Sequence, residues 1–158
     1  MRRLALLLPL LLAGCAGRKI RVDDRPILLR VRPPVAFEML RDNQDLPILD
    51  VRSGEEFEGE QGHLAGAVSL PLAQLPARLA EIALLKRRTF LIYCRQGDSC
   101  GEDAMRLLLE RDFDDVVLID GGLEAWIKAG FGTVGGPNGG VKAQGLSHHR
   151  HRPPPAGS

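Results

Sequence analysis

Three short apolar runs in the middle of the chain limit the folds available to it. They read PILDV at 47–51, TFLIY at 89–93 and VVLID at 116–120, and each is bounded by polar or turn-forming residues. None of them alternates cleanly between apolar and polar residues. Continuous apolar strands of this length are typical of a parallel sheet that is covered on both faces. We therefore predict parallel strands that are buried on both faces.

The segments between and after these runs have helical spacing. Residues 74–88 place their apolar side chains on one face and end in basic residues, where the helix dipole favours cations. Residues 99–112 predict a second helix with acidic residues in its first turn, and 123–130 predict a third that ends at Gly130. Strands that alternate with helices predict an α/β domain.

The N-terminus has the pattern of an export signal. The stretch MRRLALLLPLLLAGCAG has two arginines and then a short apolar run, Leu4–Leu12, that is too short to span a bilayer as a helix. Its end, LLAGC, resembles the lipobox of bacterial lipoproteins, which implies lipidation of Cys15. An ordinary cleaved signal with a chance cysteine is the alternative. By this analogy we expect residues 1–14 to be a lipoprotein signal peptide, and Ala16 is compatible with the outer membrane.

Residues 15–25 are then a tether, and 26–134 form one domain, enough for a single hydrophobic core. Residues 135–158 are rich in Gly, Pro and His without apolar periodicity, so we predict a disordered tail. Its histidines could bind a metal weakly, but a solvated basic tail is the preferred interpretation. The chain has 21 Lys and Arg against 20 Asp and Glu, and loss of two signal arginines keeps it near neutral, which argues against nucleic acid as a partner.

Two of the three cysteines flank one loop, in FLIYCRQGDSCGED. Cys94 follows the strand at 89–93, and the next helix begins a few residues later. Ligands of open α/β sheets bind at the carboxyl ends of the strands, and backbone N–H groups that lead into a helix can bind an anion there. Cys94 is therefore a candidate nucleophile. The alternative is a small buried residue of the core.

Four motifs resemble those of the single-domain rhodaneses, a family of sulfurtransferases. They read LDVRSGEEF, GHLAGAVSLP, YCRQGDSCGEDA and LIDGGLEAWIKAGF, follow the family's order and extend from Ile48 to Phe131. The resemblance implies a rhodanese-like three-layer α/β domain with a mainly parallel central sheet and helices on both faces.

The resemblance also implies the chemistry. Cys94 takes a sulfur atom from a small donor such as thiosulfate, carries it as a persulfide and gives it to a thiol or to cyanide. Transfer of this kind requires the thiolate form. The loop amides and Arg95 hold the anionic donor, and the substrate-binding loop consists of Arg95, Gln96, Gly97, Asp98 and Ser99. No metal or organic cofactor is implied, and the sequence identifies no protein partner.

Three further residues of these motifs are expected to support the site. Asp50 and Arg52 predict a structural ion pair at the end of a strand rather than direct catalysis. His63 is expected to hold the GHLAGA turn in place and not to act as a base.

The active-site loop departs from the family pattern. Ser99 stands where many of these sulfurtransferases have a second arginine, and Asp98 adds a negative charge. These changes predict weak use of thiosulfate. The missing arginine also argues against the phosphatases of this fold, which use a Cys-x5-Arg loop to bind phosphate in a bidentate way.

Cys100 leaves the function open. It is either a small residue in place of a serine or a resolving thiol that forms a disulfide with Cys94, provided that their Cα atoms come within about 7 Å. In the oxidising periplasm neither thiol is certain to stay reduced. Three hypotheses therefore follow: a lipid-anchored periplasmic sulfurtransferase, a thiol–disulfide or redox-sensing protein, and a non-catalytic binding module of rhodanese shape.

Overall fold

A computed structural model describes residues 28–96 and 99–135. Its centre is a five-stranded sheet in which every neighbouring pair is parallel and the strand order is β1-β5-β4-β2-β3. The strands are β1 (Leu29–Val31), β2 (Ile48–Asp50), β3 (Ala67–Ser69), β4 (Phe90–Tyr93) and β5 (Val116–Ile119). The helices are α1 (Pro33–Asp42), α2 (Gly54–Phe57), α3 (Leu75–Arg78), a 3₁₀ helix (Leu79–Leu85), α4 (Ser99–Glu110) and α5 (Gly122–Lys128).

The two faces of the sheet carry separate apolar cores, because successive strand residues point to opposite sides. One core joins alternate residues of the central strands to the helices α3 and α4 and to the 3₁₀ helix. The other joins the remaining strand residues to α1 and α5, with Trp126 as its largest helical side chain. All four residues of β4 and all four of β5 are buried. The predicted three-layer architecture with a parallel sheet is confirmed.

The three predicted strands are present as β2, β4 and β5, and two predicted helices are present as α4 and α5. Gly130 lies just beyond α5 with a left-handed φ of 86°. The prediction of one helix over 74–88 was wrong. An α-helix of four residues gives way to a 3₁₀ helix at Leu79, because Arg78 leaves the α-helical region with φ −107° and ψ 10°.

The chain reverses its direction across the sheet between β2 and β4. From β2 it proceeds to the edge strand β3, and from β4 it proceeds the opposite way to β5. Such a switch point leaves a crevice at the carboxyl ends of the two strands. Asp50 ends β2, and Cys94 directly follows β4.

Several predictions concern residues outside those that the structure describes. These are the signal peptide, the lipidated Cys15, the C-terminal tail and two positions of the active-site loop, Gly97 and Asp98. Within residues 28–96 and 99–135, no helix is long and apolar enough to cross a bilayer.

Candidate active site

Cys94 lies at the carboxyl end of β4 with only 5 % of its surface exposed. The alternation along β4 places its side chain on the face that α4 covers, together with Phe90 and Ile92. Its carbonyl oxygen accepts a hydrogen bond from the amide of Leu123 at 2.9 Å. The next carbonyl, that of Arg95, accepts one from the amide of Glu124 at 3.0 Å. The first turn of α5 therefore holds the start of the active-site loop.

Gly122 makes this contact between α5 and the loop possible. Its φ is +58°, a conformation that costs other residues about 1–2 kcal/mol. A Cβ atom at Gly122 would lie 2.4 Å from the carbonyl oxygen of Cys94 and 2.8 Å from the carbonyl carbon of Arg95. Because both neighbours are backbone atoms, any side chain at this position would displace the loop.

Cys94 and Cys100 form a disulfide, with their Cα atoms 6.1 Å apart. That distance lies within the range that a disulfide requires. The geometry therefore allows the pairing that the sequence left open. Cys100 is the second residue of α4 and lies on the same core as Cys94. The following residue, Gly101, is buried against Leu118 of β5, where an added Cβ would lie 2.7 Å from the Leu118 Cδ1 atom. This close approach of α4 to the sheet brings Cys100 to Cys94.

The side chain of Arg95 lies between two carboxylates. Its Nε donates to Glu124 Oε1 at 3.2 Å, and one Nη atom is 3.6 Å from Glu56 Oε1. Gln96 donates to the other oxygen of Glu124 at 2.9 Å. Arg95 is 56 % exposed and therefore remains accessible, but its charge is already partly balanced. Ser99 is exposed as the first residue of α4.

Glu56 is held in place by a capping box at the start of α2. The hydroxyl oxygen of Ser53 accepts from the amide of Glu56, and the Ser53 amide donates to the carboxylate of Glu56, both at 3.2 Å. The reciprocal bonds satisfy two amides at the helix start. Beside α2 is a cleft of about 420 Å³ lined by Arg52, Glu55, Glu56, Gly59, Glu60, Gln61 and Arg95. Three of these seven residues are glutamates and two are arginines.

Asp50 and Arg52 form a buried, bidentate ion pair. The Nε of Arg52 lies 2.9 and 3.0 Å from the two carboxylate oxygens of Asp50, and an Nη atom donates to the carbonyl oxygen of Gly62 at 2.9 Å. Burial alone would lower the pKa of Arg52, but the hydrogen bonds that its guanidinium donates to Asp50, together with the charge of that carboxylate, raise it overall. The pair therefore stays charged and joins β2 to the turn before β3, as expected of a structural ion pair.

Tyr93, the residue before Cys94, extends this network. Its hydroxyl oxygen accepts a hydrogen bond from the amide of Leu64 at 3.1 Å, and the guanidinium of Arg52 lies 5.6 Å from its ring centroid. Burial raises the pKa of Tyr93 well above its usual value, and the nearby charge of Asp50 adds to this. Tyr93 therefore stays neutral and joins the end of β4 to the turn before β3.

His63 lies in a pair of backbone hydrogen bonds with Val134, at 2.9 and 2.8 Å. Its Nδ1 is 3.1 Å from the carbonyl oxygen of Phe57, and its ring stacks on the Phe57 ring with the centroids 3.7 Å apart. These contacts suit the predicted role of holding the turn. None of these contacts indicates a catalytic role for His63.

Glu102, in the first turn of α4, is paired with two arginines. Its carboxylate forms an ion pair with Arg30 and lies 3.7 Å from Arg106. The hydrogen bond from Arg30 lowers the pKa of Glu102. Its charge is thus largely compensated at the surface. In the described part of the chain, no cluster of three or more His, Cys, Asp or Glu side chains is placed to hold a metal ion.

Three residues of the site, Glu56, Gly122 and Glu124, were not predicted from the sequence. Gly122 and Glu124 stand in the GGLEAW segment, and a pair of glycines before a helix could have indicated a close backbone approach. Glu56 belongs to the S-x-x-E pattern at 53–56, which predicts a capping box. Nothing in the sequence alone showed that both carboxylates face Arg95.

The sequence profile of the rhodanese-like domain matches residues 31–129. The chain belongs to the rhodanese-like domain family. Among its relatives is a sulfurtransferase of Allochromatium vinosum, which is 32 % identical over 97 residues; the match covers 61 % of this chain and 86 % of the relative.

Other rhodanese-like sequences form parts of larger proteins. A tRNA uridine(34) hydroxylase of Cytophaga hutchinsonii is 34 % identical over 93 residues, which cover 57 % of this chain but only 29 % of that protein. Among solved structures, the rhodanese-like domain of an Anabaena protein superimposes with a TM-score of 0.57 and 28 % identity, covering 84 % of this chain and 89 % of that one. The site described above therefore stands on a rhodanese fold.

Proposed function

We propose that this protein is a sulfurtransferase that moves sulfane sulfur through a persulfide on Cys94. One observation carries the proposal: the only cysteine at the carboxyl end of a described strand lies at the switch point between β2 and β4, where open α/β sheets bind their ligands. The family includes proteins named sulfurtransferases, such as the A. vinosum relative.

The reaction begins from the reduced Cys94–Cys100 pair. The Cys94 thiolate attacks the outer sulfur of a donor such as thiosulfate, and sulfite leaves with the electron pair of the broken S–S bond. An acceptor thiol or cyanide then takes the outer sulfur, and the Cys94 thiolate is restored. Splitting the transfer into two displacements is the advantage of covalent catalysis. The fixed loop backbone, bonded to α5, keeps the sulfur in position.

The charges around Arg95 bear on the choice of donor. Arg95 is the loop cation that would attract a dianion, yet Glu56 and Glu124 both lie against it. The adjoining cleft adds Glu55 and Glu60, and its other arginine, Arg52, is already paired with Asp50. A dianion such as thiosulfate therefore approaches a surface with little net attraction. A persulfide donor of lower negative charge fits this surface better, and thiosulfate is expected to react slowly.

We also propose a location for the protein, and the basis for it is the N-terminal sequence. Lipidation of Cys15 would anchor the domain to the bacterial membrane facing the periplasm, most simply to the outer membrane. Metabolic labelling with a radioactive fatty acid, followed by membrane fractionation, tests this. The wild-type chain should carry label and sediment with outer membranes, whereas Cys15→Ser should lose both. Unlabelled wild-type protein would contradict the anchor.

Turnover tests the chemistry. The reduced full-length chain is mixed with a sulfur donor and cyanide, and thiocyanate is measured. We expect thiocyanate formation that Cys94→Ser abolishes, with a small-molecule persulfide as the faster donor and thiosulfate as the slower. Equal rates for wild type and Cys94→Ser would refute the proposal.

The disulfide favours a second candidate function, thiol–disulfide exchange without sulfur transfer. A protein of this kind would cycle between dithiol and disulfide and would never hold an extra sulfur atom. It would show a reversible loss of two hydrogens that requires both cysteines, and no thiocyanate with any donor. The formation of thiocyanate therefore distinguishes the two candidate functions.

A further inference from the structure

We infer that Cys100 is a second catalytic thiol, and that the pair gives the protein a further activity: reduction of sulfane sulfur to hydrogen sulfide at the expense of a dithiol. The inference rests on the proposed persulfide of Cys94. It starts from the disulfide that joins the two residues in the structure. This bond is the product that forms if Cys100 attacks the inner sulfur of a Cys94 persulfide.

The fold prepares this attack. The Cα atoms of the two cysteines are already 6.1 Å apart, and Cys100 lies in the first turn of the twelve-residue helix α4. The positive end of the helix dipole favours a thiolate at that position. The close contact of Gly101 with Leu118 fixes this end of α4 against the sheet. Cys94 is 5 % exposed, so the neighbouring thiol has an advantage over thiols from solution.

The step balances without any further reactant. The Cys100 thiolate forms a bond with the Sγ atom of Cys94, and the bond between that Sγ and the outer sulfur breaks. The outer sulfur leaves as hydrosulfide with the electron pair and the proton of the persulfide group. It is reduced by two electrons, and the two cysteine sulfurs are oxidised by two. Hydrosulfide is a good leaving group, because a leaving thiol of greater acidity departs faster.

The disulfide must then be reduced before the next cycle. A dithiol does this by thiol–disulfide exchange: its two thiols become a disulfide, and both protein cysteines return to thiols. With thiosulfate as donor, the complete cycle converts one thiosulfate and one dithiol into sulfite, sulfide and the oxidised dithiol. Before each new turnover, a reaction that supplies electrons through a dithiol must therefore reduce the disulfide.

A single-turnover experiment tests this. The reduced full-length chain is freed of reductant without oxygen and mixed with thiosulfate, and sulfite, sulfide and intact mass are followed. Wild type should release sulfite and sulfide in equal amounts and become two hydrogens lighter. Cys100→Ser and Cys100→Ala should release sulfite alone and keep one extra sulfur atom. Cys94→Ser should release neither.

Two results would overturn the inference while leaving Cys94 as the sulfur carrier: a stable persulfide on wild type without sulfide, or sulfide release by the Cys100 variants at the wild-type rate. If none of the chains gains sulfur or releases sulfide, with thiosulfate or with a small-molecule persulfide as the donor, the proposed function is rejected as well. In the presence of a millimolar dithiol, we expect wild type to release sulfide at least about tenfold faster than Cys100→Ser, since a neighbouring thiol has a much higher effective concentration. Equal rates would again contradict a role for Cys100.

Discussion

The amide of Leu123 donates a hydrogen bond of 2.9 Å to the carbonyl oxygen of Cys94. This bond connects the start of α5 to the residue that carries the proposed chemistry. It exists only because Gly122, next to Leu123, has no side chain to meet the same carbonyl oxygen. The position of the nucleophile is thus set by a glycine that lies 28 residues away along the chain.

Replacement of Gly122 by alanine should therefore impair sulfur transfer. The added Cβ would overlap the backbone at Cys94 and Arg95, so the loop must move. A displacement of about 1 Å lowers the rate of a positioned reaction by roughly 100-fold. The rate of thiocyanate formation measures this. Gly130→Ala is the matched control: Gly130 also has a positive φ, but an added Cβ would meet nothing within 4 Å. A comparable loss in both variants would show that conformational strain, not the contact, is responsible.

Removal of the carboxylate at Glu124 should improve the use of thiosulfate. Glu124→Gln frees Arg95 from one of its two acidic partners. One charge at close range near a protein surface is worth about 1 kcal/mol or more, so kcat/KM for thiosulfate should rise by about three- to tenfold. A persulfide donor of lower negative charge should gain less. Glu81→Gln is the control, since Glu81 pairs with Arg78. Unchanged thiosulfate kinetics in Glu124→Gln would show that the acidic surroundings of Arg95 do not limit this donor.

Loss of the buried ion pair should destabilise the domain. Asp50→Asn would leave the guanidinium of Arg52 buried without its counter-charge. Breaking a buried pair in this way costs about 3–5 kcal/mol. Urea unfolding of the reduced protein would measure the change in the free energy of unfolding. Asp42→Asn removes one partner of an exposed pair with Arg41 and should cost less than about 1 kcal/mol. Similar costs for the two variants would argue against a structural role for Asp50 and Arg52.

Tyr93, the only tyrosine of the chain, should make the free energy of unfolding depend on pH. Burial raises the pKa of Tyr93 in the folded protein, whereas the unfolded chain loses the phenol proton near pH 10. Its contribution to stability is therefore complete below about pH 10 and falls as the pH rises above that value. The free energy of unfolding of wild type should fall with pH more steeply than that of Tyr93→Phe. The tyrosinate absorption band should appear only as the protein unfolds. Titration of the phenol in the folded protein near pH 10 would contradict its buried position.

The sequence predicted the layers of the fold because the central strands are apolar along their whole length. Continuous runs such as 89–93 leave few alternatives to a covered parallel sheet. The strands β1 and β3 were not predicted, since both are short and partly exposed, whereas the three residues of β2 are all buried. The change from α3 to a 3₁₀ helix depends on the backbone of Arg78, which its side chain does not reveal.

The sequence predicted only those residues of the candidate site that directly follow a strand or belong to a motif. Cys94 and the pair Asp50–Arg52 meet that condition. The contacts of Arg95 with Glu56 and Glu124 join three separate parts of the chain, and such contacts exist only after folding. The spacing of Cys94 and Cys100 allowed a disulfide without requiring one. The face of β4 on which Cys94 lies, and the approach of α4 to that face, decide the pairing.

The most direct test of the account is the location of the transferred sulfur. The Cys100→Ser chain is reduced, treated with a sulfur donor and trapped with an alkylating reagent, and its peptides are mapped by mass spectrometry. We predict one additional sulfur atom on the peptide that contains Cys94, removed by cyanide with formation of thiocyanate. Additional sulfur on another residue, or an unmodified Cys94 with every donor, would contradict the central claim that Cys94 is the sulfur carrier.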